Sequence, residues 1–186
     1  MEAMRQEDRR YTYADYCTWD DGKRYELIDG VVRAMSPAPS WWHQEISSRL
    51  HGQLYVFLRN KTCKVFAAPF DVRLSADNKD DTVVQPDLVV ICDHSKLSGT
   101  GCVGAPDFII EILSPSTLRV DRADKLLLYQ HAGVREYWIA DPDAKTVHAH
   151  ILEGGRYFVT CFASPDSAPV SVLGGCMIDL SEVFAE

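Results

Sequence analysis

The chain has 186 residues, 46% of them hydrophobic, and a net charge of −8, which suits one soluble domain over residues 1–186 with a sizeable core. No apolar run reaches the ~20 residues needed to cross a bilayer, and Met1–Arg10 is too charged for a secretion signal, so no membrane partner and a cytoplasmic location are expected. The negative balance excludes a broadly basic nucleic-acid-binding surface but not a local basic groove.

After the charged lead-in, a short helix is expected around Thr12–Thr18. Tyr25–Ala34 reads as two strands about an Asp29-Gly30 turn, a strong hairpin signal. Residues 36–40 form a loop, and Ser40 is placed to cap the next helix. That helix, Trp41–Leu58, repeats Trp42, Ile46, Leu50, Leu54 and Leu58 along one face. Lys64–Leu74 is strand-like, with Pro69 marking an edge or bulge, and Ala76–Asp81 is a polar turn. Thr82–Ile91 is an almost continuous apolar strand, as expected for burial on both faces.

A Gly-rich loop spans Ser95–Gly104, and Asp107–Leu113 is a second buried strand. Ser114-Pro115-Ser116-Thr117 breaks it, and Thr117 starts a helix that ends near Ala132-Gly133. Glu136–Ala140 is a third core strand, closed by Asp141-Pro142-Asp143. Val147–Leu152 and Tyr157–Phe162 pair as a hairpin, and a tail over 163–186 ends in a short helix near Leu180–Phe184. The pattern is α/β, a mixed central sheet flanked by helices. The six cysteines stand singly without a CxxC pair and read as reduced, mostly buried thiols. Cys92 and His94 lack a second close pair, which argues against zinc.

Asp87 and Glu111 are acids inside otherwise apolar strands. A buried charge costs several kcal/mol unless it is paired or bound to a metal. If the two strands are neighbours, the side chains lie about 5 Å apart, a separation that suits a shared hard divalent ion, Mg²⁺ or Mn²⁺. Asp107 precedes Glu111 by four residues on the same strand, roughly 13 Å away, and is a strand-start residue rather than a ligand. Gln85 alternates onto the face of Asp87, where it contacts a phosphate or a water ligand, or is an ordinary satisfied strand amide. His43, near the start of the first long helix, approaches the same cleft or simply packs or caps there. Trp42 belongs to the apolar helix face; Trp41 is exposed or lies in a dimer contact.

Pro86-Asp87, followed by Glu111 in Ile110-Glu111-Ile112-Leu113, resembles the PD-(D/E)xK nuclease pattern. YELIDG (25–30), QPDLVV (85–90), EILSPST (111–117), Asp124-Lys125 and GVREYWIADP (133–142) closely resemble the Uma family of restriction-endonuclease-like proteins, in order and spacing, over residues 12–160. The resemblance implies a restriction-endonuclease-like fold and metal-dependent hydrolysis of DNA phosphodiester bonds. It also implies a metal held by Asp87, Glu111 and the Ile112 carbonyl. The general pattern places a lysine two residues after the second acid, where this chain has Leu113. The Uma-like variant takes its lysine from the following helix, which implies a catalytic role for Lys125; the alternative is a surface pair with Asp121. Glu26 fills a position where related nucleases supply a further carboxylate, or is a solvated hairpin acid. A homodimer is expected by analogy with enzymes that cut two strands, with the Tyr157–Phe162 hairpin offering an apolar edge. The alternatives to a nuclease are an inactive nuclease fold serving as a binding or assembly module, and a hydrolase of another phosphate ester.

Overall fold

The computed structural model describes residues 9–35, 38–74, 79–114 and 121–185. The helical turn α1 (Tyr13–Tyr16) begins with a capping box, Thr12 and Asp15 each accepting from the other's main chain. β1 (Tyr25–Ile28) and β2 (Val31–Ala34) form the expected hairpin, with Asp29 and Gly30 both at positive φ. α2 (Trp41–Leu58) starts at Ser40, whose hydroxyl accepts the His43 N–H, and it buries Ile46, Leu50, Leu54 and Leu58. Trp41 is 78% exposed, whereas Trp42 packs against the core.

The chain continues through β3 (Lys64–Ala67), β4 (Asp71–Arg73), β5 (Val83–Val84), β6 (Leu88–Ile91), β7 (Leu97–Ser98), β8 (Gly101–Val103) and β9 (Phe108–Ile112). After α3 (Asp121–Ala132) come β10 (Glu136–Asp141), β11 (Thr146–Glu153), β12 (Arg156–Ala163), β13 (Ser167–Val170), β14 (Cys176–Asp179) and α4 (Leu180–Val183). Among the described residues the strands make a sheet ordered β2-β1-β5-β4-β8-β7, a central sheet ordered β12-β11-β10-β9-β6-β3, and a β13-β14 ribbon. One face of the central sheet, with Leu88, Val90, Phe108, Ile110 and Trp138, packs on α2 and the C-terminal ribbon and helix. The other face, with Val89, Ile109, Tyr137 and Ile139, meets Tyr129 of α3 and Val72 and Val84 of the first sheet.

Two expected strands are each divided. Lys64–Leu74 breaks at the cis Ala68-Pro69 bond, and Thr82–Ile91 breaks at Gln85-Pro86-Asp87. A proline cannot donate to a ladder, and at each break the chain passes between the two sheets. Asp87 therefore stands at the entry to β6 rather than within a strand, and β5 and β6 do not share the single alternating face that the sequence suggests. The expected Gly-rich loop is a turn of 3-10 helix (His94–Lys96) followed by the β7–β8 hairpin. A Cβ on Gly101 would lie 1.8 Å from the Asp71 carbonyl oxygen, so β8 can approach β4 only with glycine there.

The cysteine expectation needs correction as well. Cys63 and Cys92 form a disulfide, and Cys17 and Cys161 are exposed; only Cys102 and Cys176 are free, buried thiols. The cause is register: Lys64 lies opposite Ile91 in the antiparallel β3–β6 pair, so the residues one step further out meet across the strands. α3 closes at Gly133, which takes positive φ. Its expected start at Thr117, like most of the expected 114–117 break, falls outside the described residues. The ribbon β13–β14 has no counterpart in the expected elements.

Candidate active site

The antiparallel register between β6 and β9 pairs Leu88 with Ile110, so Asp87, one residue before β6, faces the position of Glu111. The two strands are neighbours, as the shared-ion argument requires. An Asp87 carboxylate oxygen accepts the Ile112 N–H at 2.7 Å. His43 reaches the same spot from the first turn of α2. Its Nε2 lies 3.3 Å from that Asp87 oxygen and 3.2 Å from the Ile112 carbonyl oxygen. Both neighbours are acceptors, so Nε2 carries the hydrogen and donates. Nδ1 is buried and has no partner among the described residues. Burial opposes the imidazolium, but the Asp87 carboxylate and the Ile112 carbonyl outweigh it and move the His43 pKa up.

Glu111 enters from the opposite side of its strand to Ile110 and Ile112, toward α3 and β1. Lys125, on α3, donates to Glu26 at 2.9 Å and to Glu111 at 3.0 Å, with side-chain exposures of 12%, 8% and 16%. Lys125 therefore lies inward rather than at the surface, and Glu26 is not a solvated hairpin acid; the side chain of Asp121, the alternative partner of Lys125, falls outside the described residues. Tyr129, one helical turn beyond Lys125, donates to the same Glu111 oxygen at 2.8 Å. Burial pushes the Glu111 pKa up; Lys125 pulls it down, Asp87 and Glu26 push it further up, and it settles at about 7. Burial opposes the Lys125 ammonium, but Glu111 and Glu26 more than compensate and hold its pKa above the ordinary lysine value. Arg33, paired across the hairpin with Glu26, bridges to Asp124 at 3.0 Å and so ties β2 to α3 beside Lys125.

Gln85 contributes by its main chain, whose N–H donates to Glu26 at 3.1 Å. Its side chain turns away, donating to Asp71 at 2.9 Å and to Tyr16 at 3.0 Å, and accepting twice from Arg24. Asp107 points to the far end of its strand, accepting from the Cys92 N–H and from Arg135. Tyr129 and Arg33 went unnoticed in the sequence. Tyr129 carries a usable signal, its i, i+4 spacing from Lys125 on one helix face; Arg33 becomes visible only once the hairpin register is known.

Among the described residues, no three His, Cys, Asp or Glu side chains converge as a preformed metal cage. The donor set nonetheless fits a hard divalent ion. Oxygens of Asp87 and of the Ile112 carbonyl converge on one point, where both meet His43 Nε2 at 3.3 and 3.2 Å, and these two proposed ligands are hard oxygen donors. Three carboxylates, Glu26, Asp87 and Glu111, share the region with one ammonium; burial is the main cause of the raised Glu111 pKa, and Asp87 and Glu26 add to it.

The sequence profile of the Uma2 family, described as "Putative restriction endonuclease", matches residues 12–180. An uncharacterized protein of Synechocystis sp., slr1290, is 31% identical over 164 residues, covering 86% of this chain and 84% of that protein. A crystal structure from Anabaena variabilis, described as a putative nuclease belonging to DUF820, superposes with a TM-score of 0.75 at 20% identity, over 94% of this chain and 97% of that one. The last likeness establishes a restriction-endonuclease-like fold of mixed α and β structure. With a matching profile that runs from α1 to α4, the chain belongs to the Uma2 family.

Proposed function

We propose that the chain is a divalent-metal-dependent endonuclease that hydrolyses DNA phosphodiester bonds, its single domain built around Asp87, Glu111 and Lys125. The observation that carries this reading is the buried Lys125 ammonium, held between Glu26 and Glu111 in the strand-and-helix corner beside Asp87. Apolar residues of similar volume are often at least as stabilising as a buried ion cluster, so this cluster is better explained by chemistry than by packing.

Asp87, Glu111 and the Ile112 carbonyl are the groups that would hold Mg²⁺ or Mn²⁺, which would polarise the phosphate and acidify a bound water. Asp87 is oriented by the Ile112 N–H, and the Ile112 carbonyl by His43. Tyr129 fixes the Glu111 carboxylate. Glu26 and Glu111 keep Lys125 protonated, so its ammonium is available to phosphate oxygens as negative charge builds on them. Cutting both strands of a duplex calls for two centres. β12, the terminal strand of the central sheet, carries exposed Phe158 and Val159, across which a second copy would pair.

Supercoiled plasmid supplies the test. The expected result is cutting that requires Mg²⁺ or Mn²⁺, stops on chelation, and drops by at least about a hundredfold in Asp87→Ala and in Lys125→Met. Circular dichroism checks that both variants fold. Cutting by Asp87→Ala at the unsubstituted rate would refute the assigned centre. No cutting, together with no metal binding by calorimetry, would refute the enzyme and favour a binding module on the same fold.

A further inference from the structure

The proposed centre is acidic and the chain as a whole carries −8, so affinity for a polyanion has to come from individually placed cations. Arg24 stands out among them. It is exposed, and it lies two residues before Glu26 at the start of β1. Its carbonyl accepts the Met35 N–H, which fixes its main chain at the base of the hairpin. Its guanidinium is fixed by a fork, with Nε and Nη2 donating to the Gln85 side-chain oxygen at 2.9 and 2.7 Å. No carboxylate lies within ion-pair distance of it among the described residues.

Gln85 joins this guanidinium to the centre. Its main-chain N–H donates to the same Glu26 oxygen that receives Lys125, and its amide group donates to the buried Asp71 and to Tyr16. The amide is therefore locked, with its oxygen aimed at Arg24. A neutral acceptor orients the cation without cancelling its charge. Two of the five guanidinium N–H groups are used by Gln85, which leaves three for an external acceptor. An oriented, un-neutralised guanidinium suits bidentate contact with a phosphate and loses little further entropy on making it. Against this stands an ordinary role for Arg24 as a hairpin-to-loop tie. That role would require the Gln85 contact but no net charge.

We infer that Arg24, held by Gln85, is a clamp for a backbone phosphate of the DNA strand next to the bond being cut, an inference that rests on the nuclease reading above. The clamp delivers the strand to the acidic centre and fixes its position relative to Lys125. It contributes affinity common to all sequences, since a phosphate contact carries no base information.

The test is binding rather than cutting. The full-length chain is titrated into a fluorescein-labelled DNA duplex in Ca²⁺, by anisotropy, between about 50 and 200 mM salt. Arg24→Gln is expected to weaken binding about tenfold and to reduce the slope of log K against log salt by about 0.9, the value of one phosphate contact. Arg24→Lys should recover most of the slope but only part of the affinity, because the fork is lost. Arg59→Gln, the same charge change at the exposed C-terminal end of α2, should bind as the unsubstituted chain does. Unchanged affinity and slope in Arg24→Gln would overturn the clamp while leaving the nuclease reading intact. Equal losses in Arg24→Gln and Arg59→Gln would also overturn it, since net charge alone would then explain the binding. If the unsubstituted chain binds no duplex, the nuclease reading falls and the clamp falls with it.

Discussion

Glu111 and Glu136 stand on paired strands of one sheet, β9 and β10, and serve opposite faces of it. Burial raises the pKa of both. Glu136 is completely buried, and each of its oxygens has a neutral donor, Trp138 Nε1 at 2.7 Å and the Val172 N–H at 2.8 Å. It pins the segment before β14 to the central sheet and does nothing else visible. Glu111 shares its surroundings with an ammonium, a phenol and two further carboxylates. A buried acid by itself therefore does not mark a site. Its company does: neutral donors give a strut, whereas charges of both signs give a group whose protonation and ligands can change.

The largest test of this contrast removes the company. Lys125→Met leaves the Glu26 and Glu111 carboxylates facing each other without a cation. It should cost about 3–5 kcal/mol at neutral pH, read from urea unfolding. Adding Glu26→Gln and Glu111→Gln to that variant should recover most of the loss, because the uncompensated charges are then gone. A loss below about 1 kcal/mol in Lys125→Met would mean that the cluster is solvated, and the contrast with Glu136 would fail.

The same contrast explains what the sequence reveals and what it hides. An acid inside Phe108-Ile109-Ile110-Glu111-Ile112 is conspicuous, because apolar neighbours on both sides leave it nowhere to go. The adjacency of Asp87 follows from an antiparallel register that the sequence implies only if the strands are neighbours. Lys125 is legible through the family motif, since its partners lie 14 and 99 residues away and no local spacing announces them. Glu136 escapes notice because it opens its strand, where a polar residue looks ordinary. The elements with strong local signals, α2 and the β1–β2 and β11–β12 hairpins, match expectation. The divided strands do not, because Pro69 reads locally as an edge or bulge and Pro86 is hidden in an apolar run, whereas both act globally as passages between sheets. The disulfide fails for a similar reason, as it depends on a β3–β6 pairing that no CxxC spacing encodes.

A pH titration sharpens the comparison next. The folded pKa of Glu111, about 7, lies above the ordinary glutamate value of 4.5. Between those values the folded state binds more protons than the unfolded one, so stability falls as pH rises through the window. The Glu111 contribution is fully present below the unfolded value and lost above the folded one, amounting to about 3 kcal/mol at most. Glu111→Gln should make the fall of the unfolding free energy over that range shallower. Glu136 is also shifted upward and contributes a fall of the same sign, so its slope should survive in Glu111→Gln. An unchanged pH profile in Glu111→Gln would show that Lys125 already cancels the effect of burial.

The smallest effects belong to Glu136, and they separate a strut from a site most cleanly. Glu136→Ala strips the acceptor from Trp138 Nε1 and from the Val172 N–H. Two buried donors left unsatisfied cost about 1–3 kcal/mol each, partly offset by removing an acid that burial disfavours, so a net loss of about 2 kcal/mol is expected. Glu136→Gln keeps one oxygen acceptor for the two donors and should lose about 1 kcal/mol. Neither change touches a group near Asp87, so the rise in melting temperature produced by added Mn²⁺ should be the same in both variants as in the unsubstituted chain. In Glu111→Gln that rise should shrink, because a carboxylate ligand has been replaced by a weaker amide. Calorimetric scans with and without Mn²⁺ decide the matter. A Mn²⁺ response that depends on Glu136 as much as on Glu111 would mean that the two faces of the sheet are not functionally distinct, and the proposed ligand set would have to be abandoned.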